Sequence, residues 1–529
     1  MSQRAGLSRR VIVYAAAAST AAALTIVPLS AASAASAGCD ARNNNTYQKL
    51  LECVTVDGVR EHQAAFQAIA DANDGNRAAG TTGYTQSVEY VVETMEAAGW
   101  TVTLDEFDFL YTPAAVLEQL TPLSASYETG AFTGSGNGDV TGSVTAVDLA
   151  LGAGNASTSG CDVADFAGFP AGDIALVQRG TCSFGIKASN AQAAGATAVI
   201  IFNQGNTPDR EGLIVGTLLP DGAGVTIPVV GGSYGDGVAL SQAGSTAHIQ
   251  VDPPENRPQV NVLAELKGTN DDNVVMAGAH LDSVQRGPGI NDNGSGSAAL
   301  LEIAQNMSKL KPQNTVRFAW WGAEESGLLG SNAYVNGLPQ EELDRIALYL
   351  NFDMIGSPNY VFMVYDGDES GFPAPAGVPI PEGSIQIEDL FESFYTKAGE
   401  PYDDAQFSGR SDYQAFILND IPSGGLFTGA EVVKTPEQEA IWGGTAGEQY
   451  DPCYHLACDT YDNNSLHALD VNSDAVAAAV LTYAYSTETV NGVKGKKVPG
   501  NWTWPEPAGP VGSNSGGGYE HDHDHDDVE

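Results

Sequence analysis

Four short apolar runs in the second half of the chain constrain the fold most: NVLAELKG, NVVMAGAHLD, TVRFAWWGA and IALYLNFDM. Between and after them lie stretches with helical spacing, SGSAALLEIAQNMSKL, IEDLFESFYTKAG and DAVAAAVLTYAYSTET. Runs of four to eight apolar residues alternating with helices predict a mostly parallel central sheet flanked by helices on both faces, an α/β architecture. Chemistry on such a sheet gathers at the carboxyl ends of its strands.

The rest of the chain divides around this unit. VREHQAAFQAIADAN and YTQSVEYVVETMEAAGW have helical periodicity and WTVTLDEFDF alternates as a strand, so 38–115 reads as the N-terminal part of the same domain. Over 116–254 the texture turns to Gly, Ala, Ser and Thr with short Val/Ile runs, GDVTGSVTAVDLAL, GDIALVQRG, TAVIIFNQG and VTIPVVGGS, which predicts a small β-rich domain inserted before the main unit at 255–490. From 491 to 529 a Gly/Pro-rich linker leads into HDHDHDDVE. A solubilising tail is the simpler expectation for His521, His523 and His525, with metal chelation the alternative.

Charge and cysteines set the compartment. The 529 residues hold 23 Lys and Arg against 66 Asp and Glu, a net charge of −43, and such a field repels nucleic acid and anionic membranes. The start of the chain pairs Arg4, Arg9 and Arg10 with an Ala-rich apolar run and a small-residue stretch ending at Ala37, which predicts an export signal over 1–37 and a secreted, extracellular protein. The Arg pair fits a twin-arginine signal, although the general export route stays open. No later segment is long and apolar enough to span a bilayer, so no membrane association is expected after the signal leaves, and a monomer is the expectation. All six cysteines, Cys39, Cys53, Cys161, Cys182, Cys453 and Cys458, follow the signal. They allow 15 pairings; pairing near neighbours closes each loop inside one domain, and an oxidising compartment disfavours free thiols.

The strand ends carry the chemistry. His280 and Asp282 close one run and Asp292 follows in a Gly/Asn-rich turn. His280 offers a ring nitrogen to a metal, and Asp282 is placed to accept its other N–H. Glu324 and Glu325 stand side by side past the next run, where adjacent buried carboxylates are costly unless a cation or shared proton offsets their repulsion. Asp353 ends the third run, and His455 lies between Cys453 and Cys458 in a loop their bond would stiffen. Each is ambiguous alone, as a structural histidine or a solvated acidic turn. Together they form the nitrogen and oxygen set that suits zinc. No His-Glu-x-x-His helix is present, so a one-zinc thermolysin-like protease is unsupported.

The motifs GAHLDSVQRGPGINDNGSGSAA, WWGAEESGLLGS, LNFDMIGSPN, GRSDYQAF, GGLFTGA and CYHLACD resemble, in order and spacing, the secreted bacterial two-zinc leucine aminopeptidases. The resemblance covers 54–115 and 255–490. It implies two Zn²⁺ per chain and peptide substrates with a free N-terminus, preferably leucine or another large apolar residue. It implies one zinc on His280 and Asp353, the other on Glu325 and His455, and Asp292 bridging them. Glu324 matches the general base, Tyr454 the donor to the tetrahedral oxyanion, and Glu324 with Asp353 the groups that hold the α-amino terminus. Arg410 matches a residue near the substrate terminus, with a surface ion pair as the alternative, and Met354 and Phe427 match walls of the apolar pocket. Some members bind calcium; Asp470 and Asp474 match its helix acids, but Cys53 stands where the N-terminal acid aligns, which argues against calcium here. Tyr413 replaces a common His.

The segment RGTCSFGIKASNAQAAGATAVIIFNQG is similar to the protease-associated domain, a non-catalytic insert of secreted peptidases. Gly231-Gly232-Ser233-Tyr234-Gly235 fits the G-x-S-x-G serine nucleophile elbow, but it falls inside that resemblance, where an ordinary turn is expected. A non-catalytic scaffold on the same fold usually lacks ligands or the base, all present here, and a one-zinc glutaminyl cyclase predicts a single metal.

Overall fold

In the computed structural model, residues 36–39 and 41–513 are described. Residues 1–35 of the expected export signal and the His/Asp-rich tail lie outside them. The main unit is built on an eight-stranded sheet in the order Thr101–Tyr111, Glu255–Leu266, Asn314–Trp321, Asn270–His280, Ile346–Phe352, Ser423–Phe427, Met363–Tyr365, Asp403–Ala405. Its centre is parallel: Asn270–His280 pairs in parallel with both neighbours, and Ile346–Phe352 with Ser423–Phe427. Antiparallel joins flank this centre. Ile346–Phe352 is buried at every residue, as a strand covered on both faces must be.

Helix Gly294–Met307, buried along nearly all its length, covers one side of the sheet beside Leu466–Tyr485. Its start is set by Asn293, whose side chain accepts the N–H of Gly296 at 3.1 Å and donates to the carbonyl of Phe352 at 2.9 Å. Gly296 is required there, because a Cβ would stand 2.1 Å from the Phe352 carbonyl oxygen. One residue thus ties the turn carrying Asp292 to the strand end carrying Asp353.

The register of the two outer strands explains the insertion. Thr101–Tyr111 runs antiparallel to Glu255–Leu266 with Tyr111 opposite Glu255, so the chain leaves and re-enters the main unit side by side. The intervening residues form a seven-stranded sheet with its own apolar clusters, one of them around Phe132, Val177 and Val199. Ser233 caps helix Tyr234–Leu240, accepting the Asp236 N–H at 3.1 Å while Asp236 accepts the Ser233 N–H at 3.0 Å. The G-x-S-x-G match is therefore a helix cap. Disulfides join Cys39 to Cys53, Cys161 to Cys182 and Cys453 to Cys458, the near-neighbour pairing. Among the described residues no helix is long and apolar enough to cross a membrane.

Candidate active site

The strand ends deliver their side chains to one cavity of about 440 Å³, lined by His280, Asp292, Glu324, Glu325, Asp353, Tyr454 and His455 and walled by Met354, Tyr365, Phe427 and Val432. Asp292 divides its carboxylate between two imidazoles. Its Oδ1 lies 3.1 Å from His280 Nε2 and its Oδ2 3.3 Å from His455 Nε2. A second acid stands beside the same nitrogen of each ring, Asp353 Oδ1 at 3.2 Å from His280 Nε2 and Glu325 Oε2 at 3.0 Å from His455 Nε2. Glu324 Oε2 is farther from His280, at 3.9 Å.

The residues fit zinc. Glu325 Oε1 and Asp353 Oδ1 are buried and make no hydrogen bond. The candidate ligand atoms of His280, Asp292 and Glu325 fall within 4.8 Å of one another, as do those of His280, Glu324 and Asp353. Two imidazoles and several carboxylates, converging with buried oxygens unused, are the donor set of a zinc centre.

The electrostatics agree. Burial pushes Glu324 well above the usual carboxylate range, and Asp353, Asp412 and Glu325 add to this against the opposing pull of His280. Burial alone would raise Asp292, but the hydrogen bonds and charges of His280 and His455 hold it well below that range. Burial disfavours the charged form of His280, yet Asp353, Glu324 and Asp292 outweigh it and raise the imidazole well above its ordinary value. Without a cation the cluster retains protons to offset its own repulsion.

Asp282 acts differently from the sequence expectation. His280 Nδ1 lies 3.0 Å from the main-chain carbonyl of Asp282 and 3.7 Å from its carboxylate. The ring is therefore oriented by the peptide, because the strand ends at His280 and the chain turns. The carboxylate instead accepts the N–H groups of Glu324 at 3.2 Å and Glu325 at 3.3 Å.

Tyr454 stacks on His455 with ring centroids 3.8 Å apart, and burial pushes its hydroxyl well above the ordinary phenol value, keeping it a proton donor. Arg410 lines the cavity and pairs with Glu431 at 3.1 Å, so the ion pair and the place at the cavity coexist. Met354 and Phe427 are in the walls. Tyr413 has a structural consequence: its hydroxyl accepts the N–H of Gly409 at 2.8 Å and shapes the turn that presents Arg410. Asp470 and Asp474 share helix Leu466–Tyr485, and Cys53 is consumed by its disulfide.

Sequence reasoning missed several supports. Ser411 donates to Asp353 Oδ2 at 2.6 Å. Arg77, fully buried, donates to the carbonyls of Leu281, Pro288 and Gly289 at 2.5, 2.9 and 2.6 Å, holding the turn between His280 and Asp292. The Gly/Asn-rich texture of that turn signalled a need for outside support but not its source. Also missed is an acidic group of Asp366, Asp368, Glu388, Glu392 and Asp404 behind the cavity wall, drawn from a loop, a helix and a strand. Burial, reinforced by neighbouring acids, pushes Glu388 up to about 9 and Asp404 to about 7.

A strand-end zinc centre on this sheet, beside an inserted β-rich domain, is the architecture of peptidase family M28, whose model matches residues 261–480; a PA domain model matches 140–240. The chain belongs to that family and is a metallo-aminopeptidase with a PA domain. It is 49% identical over 454 residues to an aminopeptidase of Pseudomonas aeruginosa, covering 84% of this chain and 83% of the relative. It is 42% identical over 436 residues to a probable leucine aminopeptidase 2 of Arthroderma benhamiae, covering 80% and 82%. Among solved structures it is similar to a zinc aminopeptidase from Bacillus subtilis, with TM-score 0.58 and 27% identity over 81% of this chain and 94% of that one.

Proposed function

We propose that this enzyme is secreted and removes leucine and other large apolar residues from peptide N-termini, using two zinc ions with Glu324 as general base. The observation that carries the reading is the division of Asp292 between His280 and His455, 3.1 and 3.3 Å from its two oxygens. A carboxylate so placed would serve both metals, with His280 and Asp353 holding one and His455 and Glu325 the other. When bound, zinc supplies Lewis-acid polarisation of the scissile carbonyl and an acidified water.

The chain's own groups do the rest. Glu324, whose Oε2 stands 3.9 Å from His280 Nε2, takes a proton from the attacking water and passes it to the departing amine. Tyr454 donates a hydrogen bond to the developing oxyanion, a contribution of about 2.7–4 kcal/mol for a donor of this kind. Glu324 and Asp353 hold the substrate ammonium, which limits cleavage to the first peptide bond. Met354, Tyr365, Phe427 and Val432 surround the first side chain with apolar surface. Three disulfides favour an oxidising destination, in keeping with export.

The test combines metal analysis with leucine-4-nitroanilide hydrolysis. About two zinc ions per chain and loss of activity in chelator are expected, with Glu324→Gln retaining its zinc while its kcat falls by about 10²–10⁴. Full activity in Glu324→Gln would exclude it as the base, and activity surviving complete zinc removal would exclude the metal mechanism.

A further inference from the structure

We propose that Asp459 is a positioning residue for the bridging carboxylate of Asp292, coupling it to the loop that carries His455; this rests on the two-zinc reading above.

Asp459 is 2% exposed and both of its oxygens are used on the Asp292 turn. Oδ1 accepts the main-chain N–H of Asn291 at 2.9 Å and Oδ2 that of Asp292 at 3.0 Å. Two consecutive peptide N–H groups gripped by one carboxylate leave the Asp292 backbone little rotational freedom, and so fix the direction of its side chain.

The grip is itself anchored in the other metal-binding loop. Asp459 follows Cys458 directly, and its N–H bonds to the carbonyl of Leu456 at 3.0 Å, inside the Cys453–Cys458 loop. Asn463 donates to Asp459 Oδ1 at 3.1 Å and to Asp451 Oδ1 at 2.9 Å. Asp451 in turn accepts the Cys453 N–H at 2.8 Å and the Asn291 side-chain amide at 2.7 Å. The turn bearing Asp292 and the loop bearing His455 are thereby one hydrogen-bonded unit. Burying Asp451 and Asp459 so close to Asp292 brings mutual repulsion, a poor arrangement for stability alone but an effective one for holding two ligands in register.

The experiment is a competitive zinc titration of the full-length chain, with parallel kinetics, for wild type, Asp459→Asn and Asn463→Ala. The amide of Asp459→Asn keeps the shape but offers one acceptor oxygen to two N–H groups. The expected result is about a 10–100-fold weaker affinity at one of two zinc sites, a lower kcat with KM little changed, and an altered visible spectrum of the cobalt-substituted protein. Asn463→Ala is expected to shift affinity in the same direction by less. Wild-type zinc affinity at both sites and unchanged kcat in Asp459→Asn would overturn the proposal. If that variant does not fold, Asn463→Ala decides: weakened zinc binding supports the coupling and wild-type affinity refutes it. A wild-type protein that binds a single zinc would refute the two-zinc reading instead, so the two failures are distinguishable.

Discussion

The carboxylate of Asp282 accepts the main-chain N–H of Glu324 at 3.2 Å, and with its second oxygen that of Glu325 at 3.3 Å. The proposed base and a proposed zinc ligand are thus aimed by one buried acid on a neighbouring strand end. Asp282→Asn leaves one of these N–H groups facing an amide NH2, which donates and cannot accept. Its kcat/KM for leucine-4-nitroanilide is expected to fall about 10–100-fold, chiefly through kcat, with the His280 ring still held by the Asp282 peptide. Steady-state kinetics of the zinc-loaded variant checks this, and a wild-type kcat would mean that the Glu324 main chain needs no such anchor.

Arg77 makes a stability prediction. Its three carbonyl partners lie on the turn between His280 and Asp292. Lysine cannot reproduce the fork, and each buried carbonyl left unsatisfied costs about 1–3 kcal/mol. Denaturant unfolding of Arg77→Lys is expected to show a loss of at least that size, larger than for Arg286→Lys, a half-exposed arginine paired with Glu128 at 3.6 Å.

Zinc removal should destabilise as well as inactivate. The acids around His280 and His455 repel one another without a cation, and a ligand bound only by the native state adds about 2.7 kcal/mol at a concentration 100 times its Kd. Calorimetry before and after dialysis against chelator should show a lower Tm that returns, with activity, on adding zinc. An unchanged Tm would separate the metal from the stability of this site.

The acidic group behind the cavity wall predicts a pH dependence. Burial, then the neighbouring Asp368 and Asp366, pushes Glu388 from its ordinary 4.5 up to about 9. The folded chain therefore binds more protons than the unfolded one between these values. Stability from this group is full below about pH 4.5, falls as pH rises and is lost once pH passes about 9. Glu388→Gln keeps an acceptor for the N–H groups of Gly367 and Asp368, bonded at 2.9 and 3.1 Å in the wild type. It should raise Tm at pH 8 and flatten its decline from pH 5 to 9; an identical slope in both proteins would contradict the assignment.

Much was legible in the residue order, because buried parallel strands leave continuous apolar runs and place the next few residues at the site. That logic located His280, Glu324, Glu325 and Asp353 and marked the Cys453–Cys458 loop as the carrier of His455. It failed for Asp282 because periodicity describes a strand only to its last residue, and the chain turns immediately after His280. It could not find Asp459, Arg77 or the group around Glu388, whose partners are main-chain atoms or acids from distant elements.

Sequence alone thus determined the α/β class, the inserted domain and the residue types of the metal centre, since these follow from local apolar patterning and from motifs a few residues long. Only the tertiary structure decided which oxygen faces which nitrogen, that Asp282 serves Glu324 rather than the ring of His280, and that Asp459 joins the two ligand loops. Those relationships depend on ångström-scale contacts between chain segments far apart in sequence, 167 residues for Asp292 and Asp459, and hydrogen bonding is directional at that scale.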